Sequence, residues 1–149
     1  MKIAILGTRG IPNYYGGFEQ FAQYLSEGLV KAGHEVFVYN SHLHPYQEKS
    51  WNGVNLVHCY DPEEKIGTIG QFIYDFNCIL DSQKRSFDII LQLGLPSDDN
   101  LSLLKENQNL IGVLNPFLNK EKLEKLSKKK INLFSLELLP RITRAQSMD

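Results

Sequence analysis

This chain is most informative first in what it has little of. Two cysteines occur in 149 residues, at Cys59 and Cys78, both in apolar settings (VHCY and FNCIL) and without metal-ligand spacing. That excludes a disulfide-stapled scaffold and leaves buried free thiols as the expectation. No apolar run approaches the about 20 residues needed to span a bilayer. The opening residues 1–6 are too short an apolar stretch for a signal peptide before Gly, Arg and Pro intervene. A cytoplasmic location follows as the expectation. An excess of one charge is missing too, because 16 Lys and Arg face 17 Asp and Glu for a net charge of -1. There is then no electrostatic case for nucleic acid or an anionic membrane. The run Lys128-Lys129-Lys130 sits behind Glu121 and Glu124 and reads as a solvated helix end. Repeats, low-complexity tracts and linkers are absent.

What is present is the composition of an ordinary globular domain, 42% hydrophobic and 22% charged, long enough for one domain with a proper core. Apolar runs at 2–7, 35–39, 54–60, 88–93, 110–114 and 131–136 predict six strands. Phe18, Phe21, Ala22, Leu25 and Leu29 recur at helical spacing up to Gly33, a suitable C-terminal cap. Ile69, Phe72, Ile73, Phe76, Ile79 and Leu80 do the same across 66–85. Shorter helices are predicted over 100–107 and 119–129. Trp51-Asn52-Gly53 is a turn into the third strand, and Asp61-Pro62 ends that strand. Strand and helix alternate, which predicts a single α/β domain over 1–149: a Rossmann-like or flavodoxin-like open parallel sheet with helices on both faces. Ile3, Ile5, Val36, Val38, Ile89, Leu91, Ile111 and Val113 are expected to be buried between them.

One loop carries a chemical signal. Gly7-Thr8-Arg9-Gly10 ends the first strand, and Gly16-Gly17 opens the first helix. The spacing fits neither the dinucleotide fingerprint nor a P-loop. A glycine pair at a helix start still leaves room for a ligand and presents free N–H groups at the positive end of the helix dipole, where an anion or a sugar hydroxyl is favoured. The alternative is that these glycines serve only a tight turn. Tyr14 and Tyr15 suit stacking on a sugar face or packing over the first helix. His42, His44 and His58 do not form a convincing metal set, and no metal is expected. His34 is expected to meet the last carbonyls of the first helix. Asp98-Asp99 reads as a helix cap or a ligand rim, and no serine sits in a nucleophile elbow, so no catalytic residue is assigned.

Two resemblances follow. The run KIAILGTRGIPNYYGGFEQFAQYLSEGLVKAGHEVFVYN resembles the start of bacterial rhamnosyltransferase-like glycosyltransferases of the GT-B fold, and the likeness continues to FDIILQLG at 87–94. It implies an acceptor-side half-domain whose first-strand loop faces an interdomain cleft. Gly16 and Gly17 would then approach the phosphates of a sugar nucleotide, with Arg9 and Tyr15 as polar neighbours and Arg9 able to grip a phosphate. From 88 to 149 the sequence resembles the N-terminal domain of the alanine dehydrogenase and NAD(P) transhydrogenase α-subunit family, most specifically in PRITRAQSMD. That likeness implies that Arg141, Gln146 and Asp149 form a loop reaching the nicotinamide end of NAD; the alternative is a solvated terminal turn with an incidental ion pair. The family's usual R-V-A-x-x-P opening is replaced here by GTRGIPNYYGGFE.

The resemblances overlap where both families place a buried strand reading D-I-I-L. A chimera joined inside that strand, recombined, designed or generated, accounts for both. Both resemblances imply a further Rossmann domain, on this chain or a partner, without which the half-domain is expected to be inactive. A recombined α/β scaffold with no ligand of its own is the third reading.

Overall fold

A computed structural model describes residues 1–92 and 102–138. Seven strands form one sheet in the order β3-β4-β2-β1-β5-β6-β7. They are β1 Lys2–Leu6, β2 Glu35–Ser41, β3 Ser50–Trp51, β4 Val54–Cys59, β5 Ile89–Gln92, β6 Asn109–Gly112 and β7 Asn132–Ser135. Every neighbouring pair is parallel except β3–β4. All six expected strands are present. The seventh, β3, is the short partner in a hairpin whose two turn residues, Asn52 and Gly53, have φ of 44° and 85°. Positive φ at both positions matches the twist of the flanking strands.

The helices are α1 Gly17–Lys31, α2 Glu63–Ile66, α3 Thr68–Lys84 and α4 Lys120–Lys128. The end of α1 closes as expected at Gly33 (φ 84°). Gly33 N–H donates to Val30 O and His34 N–H to Leu29 O, the paired bonds that satisfy a helix's last carbonyls. The helix expected over 100–107 begins outside the described residues, and 103–107 form turns. Asp98-Asp99 also lies outside them.

The helices turn faces toward the sheet that their most apolar stripes do not predict. In α1 the buried residues are Glu19, Ala22 and Ser26, whereas Phe18, Phe21 and Tyr24 are exposed. In α3 the inward set is Gly70, Tyr74, Cys78, Ile79 and Ser82, leaving Ile69, Phe72, Ile73 and Phe76 outside. Small residues let each helix approach closely. A Cβ on Gly70 would strike the backbone of Glu63, so α2 and α3 pack at glycine distance. Cys59 and Cys78 are free and buried, in the same core cluster as Tyr39, Tyr74 and Phe87.

Burial across the sheet corrects part of the expected core. One row of paired residues runs Leu56–Val38–Ile5–Leu91–Ile111–Phe134. Its first four members are at most 8% exposed, Ile111 is half-buried and Phe134 is 54% exposed. The cause is that α1 packs on β2 and β4, whereas α3 and α4 pack on β1, β4 and β7 from the other face. Ile3, Ile5, Val36, Val38 and Leu91 are therefore buried as expected, and Ile89, Ile111 and Val113 are only half-buried.

Candidate functional site

The sheet order reverses at β1. From β1 the chain moves to β2 and β4 on one side, then returns past β1 to β5, β6 and β7 on the other. In open α/β sheets a crevice opens outside the strand carboxyl ends at such a reversal. A cleft of about 540 Å³ lies there, walled by Gly7, Thr8, Arg9 and residues 15–19 on one side and by Gln71, Tyr74 and Asp75 of α3 on the other. The structure thus brings Arg9, Tyr15, Gly16 and Gly17 into one cleft. Arg141, Gln146 and Asp149 lie outside the described residues.

The loop that shapes the cleft is tied down from several directions. Asn40 at the end of β2 accepts from Ile11 N–H (3.1 Å) and donates to Ile11 O (2.8 Å). Ser41 N–H donates to Arg9 O. The buried Tyr74 hydroxyl lies 3.0 Å from both Thr8 O and Tyr39 O, anchoring α3 to the loop. Burial pushes that phenol well above its ordinary pKa, so it stays a donor. Asn13 Oδ1 accepts from Tyr15 and Gly16 N–H, both at 3.1 Å, which turns the chain into α1.

Histidines serve this same loop. His44 is buried; its Nδ1 accepts from Tyr46 N–H, so its Nε2 is the donor to Pro12 O. Burial lowers its pKa and keeps the ring neutral. His42 Nδ1 accepts from Asp61 N–H, and His58 Nε2 meets Tyr46 O.

Gly16 and Gly17 are not needed for a turn. Gly16 has an extended backbone (φ -177°) that any residue can adopt. A Cβ on Gly17 would meet nothing within 4 Å. What the glycines leave is open space above an α1 terminus that no side chain caps. The first-turn N–H groups of Gly17 and Phe18 stand at the wall of the cleft. Gly17→Val should accordingly change folding stability by under about 0.5 kcal/mol while filling the cleft mouth. A thermal melt matching the parent, with loss of ligand-induced spectral changes, is the expected pair of results.

Electrostatics separate the lining residues. Arg9 reaches the rim, but its guanidinium is held by Glu63, with Asp61 at 3.8 Å. These partners raise the Arg9 pKa, and Arg9 in turn lowers that of Glu63. Asp61 is fixed by Ser41 Oγ–H at 2.8 Å and accepts Glu63 N–H. Sequence reasoning did not single out Glu19 or Asp75. Glu19 is buried and its Oε1 accepts from Thr8 Oγ–H and Arg9 N–H. Asp75 is pushed up to about 6, chiefly by burial, against the pull of Arg9. A signal was present for each: Glu19 falls on the small-residue stripe with Ala22 and Ser26, and Asp75 is a lone carboxylate inside IYDFNCIL. Among the described residues, no group of His, Cys, Asp and Glu could hold a metal ion, and no helix is long and apolar enough to cross a membrane.

Fold and cleft together define an open α/β domain of the Rossmann-like kind with a crevice at its switch point. Within the sequence, residues 78–149 match the family described as the alanine dehydrogenase/PNT N-terminal domain. The chain is 37% identical over 62 residues to an NAD(P) transhydrogenase subunit alpha from Haemophilus influenzae, covering 42% of this chain and 12% of that protein. It is 39% identical over 67 residues to the first portion of a divided NAD(P) transhydrogenase subunit alpha from Rickettsia prowazekii, covering 42% of this chain and 17% of the relative. With the Rhodospirillum rubrum counterpart the identity is 45% over 51 residues, 34% of this chain and 13% of the relative. The chain thus spans under a fifth of the length of these relatives. In three dimensions it resembles the crystal structure of a transhydrogenase from Sinorhizobium meliloti, with a TM-score of 0.59 and 23% identity over 99% of this chain and 38% of that one. That likeness establishes a shared fold across the whole chain. The family match begins at Cys78, inside α3, so every residue lining the cleft precedes it.

Proposed function

We propose that this chain is an α/β unit of a nicotinamide-nucleotide-binding protein of the transhydrogenase alpha kind, supplying one wall of a site that a second Rossmann domain completes. The observation that supports this reading is the family match over 78–149, accompanied by the 37–45% identity to transhydrogenase alpha subunits. NAD(H) is the cofactor in this reading. Arg141 and the Gln146 amide suit its carboxamide or ribose, and Asp149 completes the network. Residues 139–149 follow β7, whose C-terminal end shares the sheet edge with the cleft because β7 is parallel to β6.

Hydride transfer requires donor and acceptor held together with water excluded, which one wall of a site does not supply. The 149-residue chain alone should therefore bind NADH weakly and show no hydride transfer. Titrating NADH into the isotope-labelled chain tests the reading. Amide shifts in 141–149 that disappear in Arg141→Ala support it. An unchanged spectrum in that segment at millimolar NADH overturns it, and turnover by the purified chain would contradict the half-site.

A second reading keeps residues 1–94 as the acceptor-side half of a sugar-nucleotide glycosyltransferase, joined to a transhydrogenase-like remainder. In its favour, the cleft is built entirely from residues ahead of 78. It predicts that a sugar nucleotide, and not NADH, shifts Gly16 and Gly17, again without glycosyl transfer by the chain alone.

A further inference from the structure

The polar atoms of the cleft narrow the class of ligand it can hold, granted the reading that the cleft is a ligand site. Arg9 is the one Lys or Arg among the residues lining it, and Glu63 and Asp61 already neutralise that charge. The remaining side chains offer acceptors. Glu19 is 7% exposed, and its Oε1 takes both the Thr8 hydroxyl and the Arg9 N–H. Its Oε2 turns toward Gly16, lying 3.8 Å from where a Cβ on that residue would stand. No protein donor engages Oε2 among the described residues. Asp75 lines the facing wall, likewise without a hydrogen-bond or ion-pair partner there. Donors come from the first-turn N–H groups of Gly17 and Phe18. Tyr15 and Phe18, 60% and 58% exposed, set two aromatic rings on the rim.

A phosphate presents acceptors and negative charge only. It gains from the helix N–H groups but meets two carboxylates with no free cation to offset them. A sugar ring matches the whole set. Its hydroxyls donate to carboxylates and accept from N–H groups, and its C–H face packs on an aromatic ring. We propose that the cleft recognises the vicinal hydroxyls of a sugar ring, ribose or hexose, through Glu19 Oε2 and Asp75, and discriminates against phosphate. A Gly16 or Gly17 side chain would occupy the volume that the ring needs.

The test uses the 149-residue chain with three probes: NAD+, a methyl hexopyranoside and inorganic pyrophosphate. Ring-sized ligands should bind with dissociation constants of about millimolar, shifting the amides of Gly16, Gly17 and Glu19. Shifts with NAD+ alone identify ribose as the ring; shifts with the glycoside identify a hexose. Glu19→Gln keeps an acceptor for Thr8 and Arg9 and so preserves the loop. It should still weaken the effective sugar probe at least fivefold, and Asp75→Asn should do the same. Pyrophosphate should neither shift these amides nor displace the sugar. The proposal is overturned if pyrophosphate competes, if neither sugar probe moves the cleft amides, or if both variants bind as the parent does. NADH-dependent shifts confined to 141–149 would sink this inference while leaving the nicotinamide-nucleotide reading intact.

Discussion

Replacing Gly10 by alanine should lower the melting temperature by roughly 10 °C, corresponding to about 3–5 kcal/mol for a chain of this length. Two independent costs add at this position. Gly10 has φ 128°, where a side chain is strained whatever the space around it. A Cβ there would also stand 2.5 Å from Asn40 Cγ. Asn40 cannot move aside cheaply, because it is fully buried and its amide makes both hydrogen bonds to Ile11. Shifting it strands buried polar groups as well as opening the loop. Gly28→Ala provides the contrast. Gly28 lies within α1 and a Cβ there meets nothing within 4 Å. That substitution should stabilise by up to about 1 kcal/mol. Equal melting temperatures for the two variants would refute the account of the loop.

Asp75→Asn should stabilise the protein at neutral pH, the opposite of what removing a charge from a polar cleft usually suggests. Burial raises the Asp75 carboxyl from 3.8 to about 6, with Asp61 adding to the rise and Arg9 opposing it. The folded state therefore holds this proton more tightly than the unfolded chain does. Between about pH 4 and 6 the Asp75 contribution to stability falls with each step upward, and above pH 6 the full penalty remains. A shift of roughly two units corresponds to about 1–3 kcal/mol. Denaturant melts of parent and variant should coincide near pH 4 and separate as pH rises, with the variant the more stable. The difference between the two isolates Asp75 from Glu63 and Glu27, whose lowered pKa values give the reverse slope. A parent as stable as the variant at pH 7.5 would show that Asp75 is solvated or paired.

The position of the cleft was legible in the sequence, but its chemistry was not. A strand ending in glycine and a helix opening on Gly16-Gly17 must put that helix start at the carboxyl edge of the sheet, and the structure has them there. Arg9 looked available to a phosphate because its partners are remote in sequence: Glu63 is brought to it by the turn at Asp61-Pro62, more than fifty residues on. Asp75 was hidden differently. It belongs to a helix that reads as apolar on several sides, and only the rotation of α3 about its axis aims it into the cleft.

The sequence by itself determined the alternation of strands and helices, the α1 cap at Gly33 and the glycine opening of α1, because each depends on backbone conformation and local spacing. Only the tertiary structure decided which helix faces are buried. In α1 and α3 an aromatic or aliphatic stripe competes with a stripe of small residues for the sheet. Hydrophobicity favours the first, but close packing at Ala22, Ser26, Gly70 and Cys78 selects the second. The same choice leaves Phe18 on the rim, turns Glu19 inward and places Asp75 opposite, so the character of the site is set by packing between elements and not by any motif within one of them.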